Sequence, residues 1–354
     1  MTLFTRDSKD NSMKQIKLSG SQQNNDGDSF RKRFVRKWCI LSSAIIVLWS
    51  AWTLLDAFVI PRDIVKADTE SEKEDAGLLA SEGETAAAPG SAADADEEQE
   101  RLQELLTNPV ITDTSYDNGL VKIEISYMRT LDTDVYVADV TVTDPSSLQT
   151  ALADGVFGRN ITDTTSSIAE QNGAILAING DYYGFRDSGY VVRNGYLYRS
   201  SPADDPEQED LVLYGDGSVG ILKEADVSAE ELCESGARDI FSFGPGLVIE
   251  GEISVEKGDE VDRAQVTNPR TAFGVISPLH YLFVVSDGRT KESVGLSLLE
   301  LARLMKDLGC VTAYNLDGGG SSTIWFNGKV LNHPTTFGDT IAERKVSDIL
   351  YISK

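Results

Sequence analysis

An apolar segment from Trp38 to Ile60 divides this chain and constrains its architecture more than any other sequence feature. As an α-helix it would extend about 35 Å, which exceeds the roughly 30 Å hydrocarbon core of a bilayer. Its one charged residue, Asp56, lies near the far end, and Trp38 and Trp52 suit the two interfaces. We therefore predict an uncleaved transmembrane anchor. A cleaved signal peptide is the alternative, but the preceding leader is long and no Ala-x-Ala-like site follows.

The residues before this segment predict its orientation. Residues 1–30 are polar and are predicted to form a disordered cytoplasmic tail. Residues 31–60 combine a basic cluster with the anchor, and the cluster is expected to stay in the cytoplasm. The C-terminal part of the chain would then be extracellular, and the protein would be held in the cell membrane by a single pass.

Residues 61–106 are predicted to form an acidic, low-complexity linker. From Lys66 to Glu100 the chain is mostly Ala, Gly, Ser, Glu and Asp, which cannot pack a core. Helical character is expected only at Asp94–Leu106, as a neck helix or the end of the linker. The formal net charge of the whole chain is −25 at pH 7, so nucleic acid is not an expected partner.

We predict that residues 107–354 fold as one α+β (mixed α/β) domain, in which helices flank a mixed β-sheet. The alternation at Val121–Ile125 indicates a half-buried strand, and 135–142 is its expected partner. Ser297 and Glu300 form a capping-box pattern at the start of an amphipathic helix. Cys233 and Cys310 are expected to be free thiols, although an extracellular location would permit a disulfide.

The stretch Tyr314–Trp325 carries the strongest signal of a functional site. A predicted strand ends at Asp317 and is followed by three glycines and two serines. A hairpin needs only one or two glycines, whereas three allow backbone N–H groups to converge on an anionic ligand. An ordinary glycine-rich loop is the alternative. The candidate residues after Asp317 are Gly318, Gly319, Gly320, Ser321 and Ser322.

Three further loops place polar residues at the ends of predicted strands, where mixed sheets gather their sites. They are Asn179–Tyr183, Asn268–Thr271 and Ser286–Arg289. Their arginines suit bidentate recognition of phosphate, and their tyrosines suit the apolar faces of sugars. Singly, each loop could be a simple turn, since Asn-Gly and Asp-Gly are common turn dipeptides.

Other chemistries are less well supported by the sequence. A Ser–His–Asp hydrolase could use Ser321 or Ser322, His333 and Asp317, but no Gly-x-Ser-x-Gly motif is present. Zinc-ligand spacing and phosphate-binding P-loops are also lacking in the sequence. No cofactor is expected, although the loop carboxylates leave Ca²⁺ open as a ligand.

The four loops, in this order, resemble the phosphodiester glycosidase family, to which the mammalian uncovering enzyme belongs. The motifs are Asn-Gly-Asp-Tyr-Tyr-Gly at 179–184, Asn-Pro-Arg-Thr at 268–271, Ser-Asp-Gly-Arg at 286–289 and Asn-Leu-Asp-Gly-Gly-Gly-Ser-Ser-Thr at 315–323. The resemblance covers about Val121 to Ile352. It implies hydrolysis of sugar-1-phosphate diesters at the anomeric carbon.

The resemblance also implies roles for individual residues. Asp317 and Asp181 would be the base and the stabiliser of an oxocarbenium-like state, in either order. Arg270 would be the third catalytic residue and would contact phosphate, together with the amides of Gly318–Gly320 and Ser321 or Ser322. Further substrate contacts are expected from Asn179, Gly180, Tyr182, Asp287 and Arg289.

The expected substrate is a phosphodiester-linked glycan, since many bacterial members of the family are labelled as exopolysaccharide-related. The anchor and acidic linker resemble the layout of surface proteins of Gram-positive bacteria, which points to a cell-surface polysaccharide or wall polymer. The alternative is a membrane-anchored, non-catalytic glycan-binding protein that takes part in exopolysaccharide assembly. The joint presence of Asp317, Asp181 and Arg270 favours the enzyme.

Overall fold

The computed structural model describes residues 43–53, 55, 60–66, 92–260, 267–336, 338 and 340–353. It divides into two units, Met1–Ile60 and Pro61–Lys354. Within the first unit, residues 43–53 are helical. None of the helices in the described ranges is both long and apolar enough to cross a membrane. The predicted cytoplasmic tail and parts of the predicted anchor, residues 38–42, 54 and 56–59, lie outside those ranges.

The second unit consists mainly of short β-strands. In chain order the strands are β1 (Arg62–Lys66), β2 (Val110–Ile111), β3 (Ser115–Asp117), β4 (Val121–Thr130), β5 (Thr133–Val142), β6 (Leu148–Leu152), β7 (Val156–Arg159), β8 (Ala174–Asn179), β9 (Val191–Arg193), β10 (Tyr196–Arg199), β11 (Glu209–Tyr214), β12 (Val219–Lys223), β13 (Ala237–Phe241), β14 (Gly246–Ile249), β15 (Glu252–Ile253), β16 (Arg270–Ser277), β17 (His280–Ser286), β18 (Thr312–Leu316), β19 (Ile324–Phe326), β20 (Lys329–Val330), β21 (Thr335–Thr336), β22 (Thr340–Ile341) and β23 (Asp348–Ser353). Its helices are α1 (Ala92–Thr107), α2 (Thr165–Gln171), α3 (Ala229–Glu234) and α4 (Leu298–Asp307).

Three sheets form the body of this unit. A nine-stranded sheet has the order β15-β14-β18-β16-β17-β5-β4-β3-β2, and two five-stranded sheets have the orders β20-β19-β8-β23-β6 and β10-β9-β13-β11-β12. The α+β class is as predicted. The predicted mixed sheet is wrong, since neighbouring strands of the nine-stranded sheet are antiparallel. Short turns join β4 to β5 and β16 to β17, whereas parallel neighbours need long crossovers.

The main core lies between the nine-stranded sheet and the two smaller sheets. Phe273 and Phe283 from the large sheet pack in one buried cluster with Ile178, Leu213 and Leu350 from the smaller ones. Strand β4 shows why the sequence folds this way: its first six residues alternate between buried and exposed, as their pattern predicted. Burying one face of each sheet supplies the dominant favourable free energy of folding.

Helices cover the outer faces of the sheets. In α4, Leu298, Leu301 and Met305 recur at helical spacing and are fully buried against the large sheet. The predicted capping box of Ser297 and Glu300 is present at its start. Helices α2 and α3 cover the two smaller sheets with their own buried clusters.

Parts of the stretch predicted as a linker are ordered. Strand β1 pairs antiparallel with β7. The predicted helical character is confirmed by α1, whose Leu102 lies so close to Gly119 that a Cβ there would be 2.5 Å from its Cδ1. Residues 67–91 lie outside the described residues. Cys233 and Cys310 are both free, as predicted.

The fold brings the ends of β8 and β18 together, although they belong to different sheets. Asn179, the last residue of β8, is fully buried. Its Nδ2 donates to the carbonyl of Asp317 at 2.7 Å, and its Oδ1 accepts from Thr271 Oγ1 at 2.8 Å and from the Thr323 amide at 3.2 Å. This one side chain therefore ties the loop after β8 to the loop after β18.

Gly180 is required by the packing at this point. A Cβ at residue 180 would lie 2.3 Å from Oδ1 of Asp348, whose carboxylate is fully buried. We expect Gly180→Ala to lower the free energy of unfolding by about 1–3 kcal/mol, because the buried Asp348 side chain, which Arg193 holds by hydrogen bonds, must move. Gly220→Ala is the matched control, since a Cβ there meets nothing closer than 3.9 Å. Denaturant titrations that gave equal midpoints for both variants would contradict this.

Candidate active site

The carboxylate of Asp317 is the centre of the candidate site. It lies directly after β18, and its side chain is only 10% exposed. Arg344 Nη2 donates to both of its oxygens, at 3.2 and 3.0 Å, and Arg344 Nε donates to Ser321 Oγ at 2.8 Å. Burial raises the pKa of Asp317 above its ordinary value, although Arg344 and Ser321 act in the opposite direction. The residue therefore has the character of a base of more than ordinary strength.

Asp181 lies directly after Asn179-Gly180, and three N–H donors hold its carboxylate. Oδ1 accepts from the Tyr183 amide at 2.9 Å. Oδ2 accepts from Arg193 Nη2 at 2.8 Å and from the Ser242 amide at 3.3 Å. Arg193 itself is fully buried and donates to Asp348 from both Nε and Nη2, at 2.8 and 2.6 Å. Asp181 is thus a rigidly oriented carboxylate.

Both carboxylates line one cleft of about 180 Å³. Three segments form it, and they come from the loop after β8, the loop after β18 and the chain just before β23. Tyr182 and Phe185 stack on each other at its wall, with ring centroids 4.8 Å apart. The lining residues are Asp181, Tyr182, Phe185, Asp317, Ser321, Arg344, Lys345, Val346 and Ser347. The arrangement combines two carboxylates, two cationic side chains and an aromatic face, which suits a sugar attached to an anionic group.

The three glycines after Asp317 are needed for close packing against the protein itself. A Cβ at Gly318 would lie 2.9 Å from the Pro269 carbonyl, and one at Gly319 would lie 2.6 Å from Arg289 Nη2. At Gly320 it would meet Thr336 Oγ1 at 3.0 Å. The Gly319 amide donates to the Pro269 carbonyl at 2.8 Å, so it is already engaged. The neighbouring Pro269, Arg289 and Thr336 give a packing reason for these glycines, and the approach of a ligand to their amides stays a prediction.

Two predicted arginines lie beside this glycine loop rather than among the residues that line the cleft. Arg270 is buried; its guanidinium pairs with Glu260 and donates to the Leu296 carbonyl at 3.0 Å. Arg289 Nε donates to Asn268 Oδ1 at 2.9 Å. Burial lowers the pKa of both arginines, and the Asp317 charge opposes this for Arg289. Their charges are close enough to contribute to the field around the loop.

Asp287 braces a neighbouring turn. Its Oδ1 accepts from the His333 amide at 2.8 Å, and its Oδ2 accepts from Tyr136 OH at 3.2 Å. His333 Nδ1 lies 3.0 Å from the same Oδ2. The Ser–His–Asp alternative needs His333 beside Asp317 and a serine, whereas here His333 pairs with Asp287. Ser322 is buried, and its Oγ has no hydrogen-bond partner among the described residues.

Sequence reasoning missed three residues that organise the site: Arg344, Arg193 and Asp348. Their separations along the chain range from 12 residues for Arg193 and Asp181 to 155 residues for Arg193 and Asp348. Burial raises the pKa of Asp348 to about 8; the charge of Asp181 adds to this effect and Arg193 opposes it. The available signal for Asp348 was the polar pair Ser347-Asp348 at the start of an apolar strand. Among the described residues, no group of three or more His, Cys, Asp or Glu side chains could hold a metal ion.

Comparison with known proteins places these features in a family context. A family model described as phosphodiester glycosidase matches residues 172–353. The SPbeta prophage-derived protein YomE of Bacillus subtilis is 31% identical over 295 residues, covering 78% of this chain and 44% of its own length. The N-acetylglucosamine-1-phosphodiester alpha-N-acetylglucosaminidase of the mouse is 25% identical over 195 residues, covering 54% of this chain and 34% of the mouse protein. The chain thus spans less than half the length of these relatives.

Two solved structures share the fold. The zebrafish N-acetylglucosamine-1-phosphodiester alpha-N-acetylglucosaminidase, as a catalytic domain auto-inhibited by its pro-peptide, has a TM-score of 0.52 at 23% identity. The superposition covers 66% of this chain and 83% of the zebrafish chain. A Synechocystis protein has a TM-score of 0.51 at 16% identity, with 66% of this chain and 62% of that chain covered.

Proposed function

This chain belongs to the phosphodiester glycosidase family, and from that premise we propose that it hydrolyses sugar-1-phosphate diesters at the anomeric carbon. The observation that carries the proposal is the shared cleft of Asp317 and Asp181, with Arg344 beside both the carboxylate and Ser321. Glycoside hydrolysis needs two carboxylates flanking one bond, and phosphate as a leaving group needs a cation to receive its charge.

In the proposed reaction Asp317 is the general base. Its raised pKa makes it a stronger base than an ordinary aspartate, which favours removal of a proton from the attacking water. The water oxygen bonds to the anomeric carbon as the carbon–oxygen bond to phosphate breaks. The proton passes to Asp317, and the bonding electron pair leaves with the phosphate monoester. A phosphate is a good leaving group, so a strong general acid is less necessary than for an ordinary glycoside.

Asp181 is the proposed stabiliser of the positive charge that develops on the sugar ring. Its carboxylate is fixed by Arg193, Tyr183 and Ser242, so it does not have to reorganise as the reaction proceeds. Tyr182 offers an aromatic face to the apolar side of the sugar. The predicted roles of Arg270 and the glycine amides in phosphate binding are revised accordingly. Arg344 makes the direct contact to phosphate in our proposal. Arg270 and Arg289 contribute positive charge from behind the glycine loop.

The proposed substrate is a cell-surface polysaccharide or wall polymer that contains glycosyl phosphodiesters. The apolar segment 38–60 and its preceding basic cluster support this, since they favour an anchored protein with an extracellular C-terminal domain. The test is release of reducing sugar by the full-length chain from UDP-sugars and methyl-phospho-N-acetylglucosamine. Binding of wall polymer without any release would favour the non-catalytic alternative.

The role of Arg344 gives a separate prediction. We expect Arg344→Gln to lower kcat/KM for methyl-phospho-N-acetylglucosamine by about 10- to 100-fold, because a charge-assisted contact to the leaving phosphate is lost. Arg344→Lys should restore only part of this, since an ammonium lacks the planar fork.

An uncharged nitrophenyl glycoside of the same sugar provides the control substrate for Arg344. Arg344→Gln should lower kcat/KM less for this glycoside than for the phosphodiester. The surface variant Arg129→Gln, whose parent side chain is 50% exposed, should match the wild type on both substrates. Equal losses on the charged and uncharged substrates would refute direct phosphate binding by Arg344.

A further inference from the structure

A second pocket, of about 280 Å³, lies next to the same loop that carries Asp181. Residues 182 and 185 of that loop line the cleft, whereas residues 183, 186 and 187 line the second pocket. Its volume is close to the roughly 300 Å³ at which small-molecule sites begin. We call it the arginine pocket, after the side chains of Arg159, Arg186 and Arg199 that line it together with Phe157, Tyr183 and Tyr198.

Three arginines line this pocket in a chain whose formal net charge is −25, and the guanidinium of Arg186 also donates to the Ser242 carbonyl at 3.0 Å. Arg199 donates to the carbonyls of Gly189 at 2.7 Å and Arg186 at 2.7 Å, which orient its charge without neutralising it. The only carboxylate in the lining is that of Asp187, which pairs with Arg159. Its side chain is 78% exposed, so a ligand can displace it at little cost.

Arg159 also carries an unused donor. Its side chain is 20% exposed, and its Nε is buried with no hydrogen-bond partner among the described residues. A buried donor without a partner costs free energy, and an anionic oxygen is the partner that an arginine prefers. The pocket therefore has the charge and the donor capacity for a phosphate group.

Aromatic side chains form an apolar wall of the same pocket. Phe157 stacks between Tyr183 and Tyr198, with ring centroids 5.2 and 4.9 Å away and interplanar angles of 16° and 22°. Aromatic rings beside a few placed polar groups are typical of sites that bind ligands with an apolar face and polar edges. A sugar ring that carries a phosphate has this chemistry.

We propose that the arginine pocket binds a second phosphorylated sugar unit of the same glycan chain whose first unit occupies the cleft. This rests on the proposed function and deepens it, because it assigns the substrate to polymers that carry phosphate on successive units. The loop 181–187 couples the two sites, since it contributes side chains to both. A polymer then gains affinity from the second contact without any change in the reacting bond.

The experiment uses two synthetic compounds of the same sugar, one with a single glycosyl phosphodiester unit and one with two such units. For the full-length wild type, we expect the two-unit compound to bind about tenfold more tightly in isothermal titration. In Arg159→Gln this preference should fall towards unity. The surface variant Arg129→Gln should keep it. Titration reports on the pocket even if neither compound is hydrolysed, so the failure of this proposal and the failure of the proposed function are distinguishable.

Two results would overturn the proposal. One is equal affinity of the wild type for both compounds, or a preference that Arg159→Gln leaves unchanged. The other concerns a free ligand, sugar 1-phosphate, added during hydrolysis of the one-unit compound. We expect it to act only as a competitive inhibitor at the cleft. A change of rate that Arg159→Gln removes would instead make the arginine pocket an effector site for a separate molecule.

Discussion

Replacing Asp317 by asparagine is expected to lower kcat/KM for a sugar-1-phosphate diester by about 10²- to 10⁴-fold, the usual contribution of a general base. Asparagine fills nearly the same volume and still accepts from Arg344, but it cannot take a proton from water. Substrate affinity should change far less than kcat, because Arg344 and Tyr182 remain in the cleft. Initial rates of reducing-sugar release, measured across substrate concentrations, separate the two effects.

The pH dependence makes the role of Asp317 specific. A base acts only when deprotonated, so the wild-type rate should rise with pH through the pKa of Asp317. Burial raises that pKa, and the rise should therefore occur at higher pH than for an exposed aspartate. Asp317→Asn should lose this rising limb. Asp113→Asn is the matched control, since Asp113 is 90% exposed and pairs only with Lys329 in the described structure. A rising limb that survived in Asp317→Asn would assign the base elsewhere.

Replacing Arg193 by leucine is expected to lower the free energy of unfolding by about 3–5 kcal/mol. Arg193 is 1% exposed and lies between the carboxylates of Asp181 and Asp348, which are fully buried. Its guanidinium also lies 4.0 Å from the centroid of the Phe241 ring. Without the cation, two buried carboxyl groups face each other with no counter-charge. Urea titration followed by circular dichroism measures the loss.

A second variant keeps this prediction testable if Arg193→Leu does not fold. Asp348→Asn in the same chain removes one of the two uncompensated carboxyl groups, so the double variant should recover part of the lost stability. Arg129→Leu, at a half-exposed ion pair with Asp134, should cost less than about 1 kcal/mol. A loss of that small size for Arg193→Leu would show that the buried cluster tolerates an unpaired charge.

The sequence identified those features of the fold that depend on neighbours along the chain. Strand β4 was evident from the alternation of Val121, Ile123 and Ile125, and helix α4 from its capping box, because periodicity and caps are local properties. The antiparallel order of the nine-stranded sheet was not, since strand pairing joins residues far apart. The short turns after β4 and β16 favour antiparallel pairing within each of those two hairpins, but they do not specify how the hairpins are ordered in the sheet.

The candidate site was predicted in the same uneven way. The sequence placed Asp181 and Asp317 in loops at the ends of strands, and the structure brings both to one cleft. Arg344 was missed because it lies in a polar, charged run that has no periodicity to mark it. Arg270 was expected to contact phosphate, but Glu260 and the Leu296 carbonyl engage its guanidinium. Such pairings depend on tertiary packing that residue spacing does not reveal.

The hydrogen bonds by which Asn179 joins the loops after β8 and β18 affect how the protein loses activity. Asp181 is carried by a five-stranded sheet and Asp317 by the nine-stranded sheet, and Asn179 joins their loops through buried hydrogen bonds. The two carboxylates keep their spacing only while both layers of the sandwich stay docked. Separation of the two sheets should therefore abolish activity, and inactivation should occur no later than global unfolding along a denaturation curve.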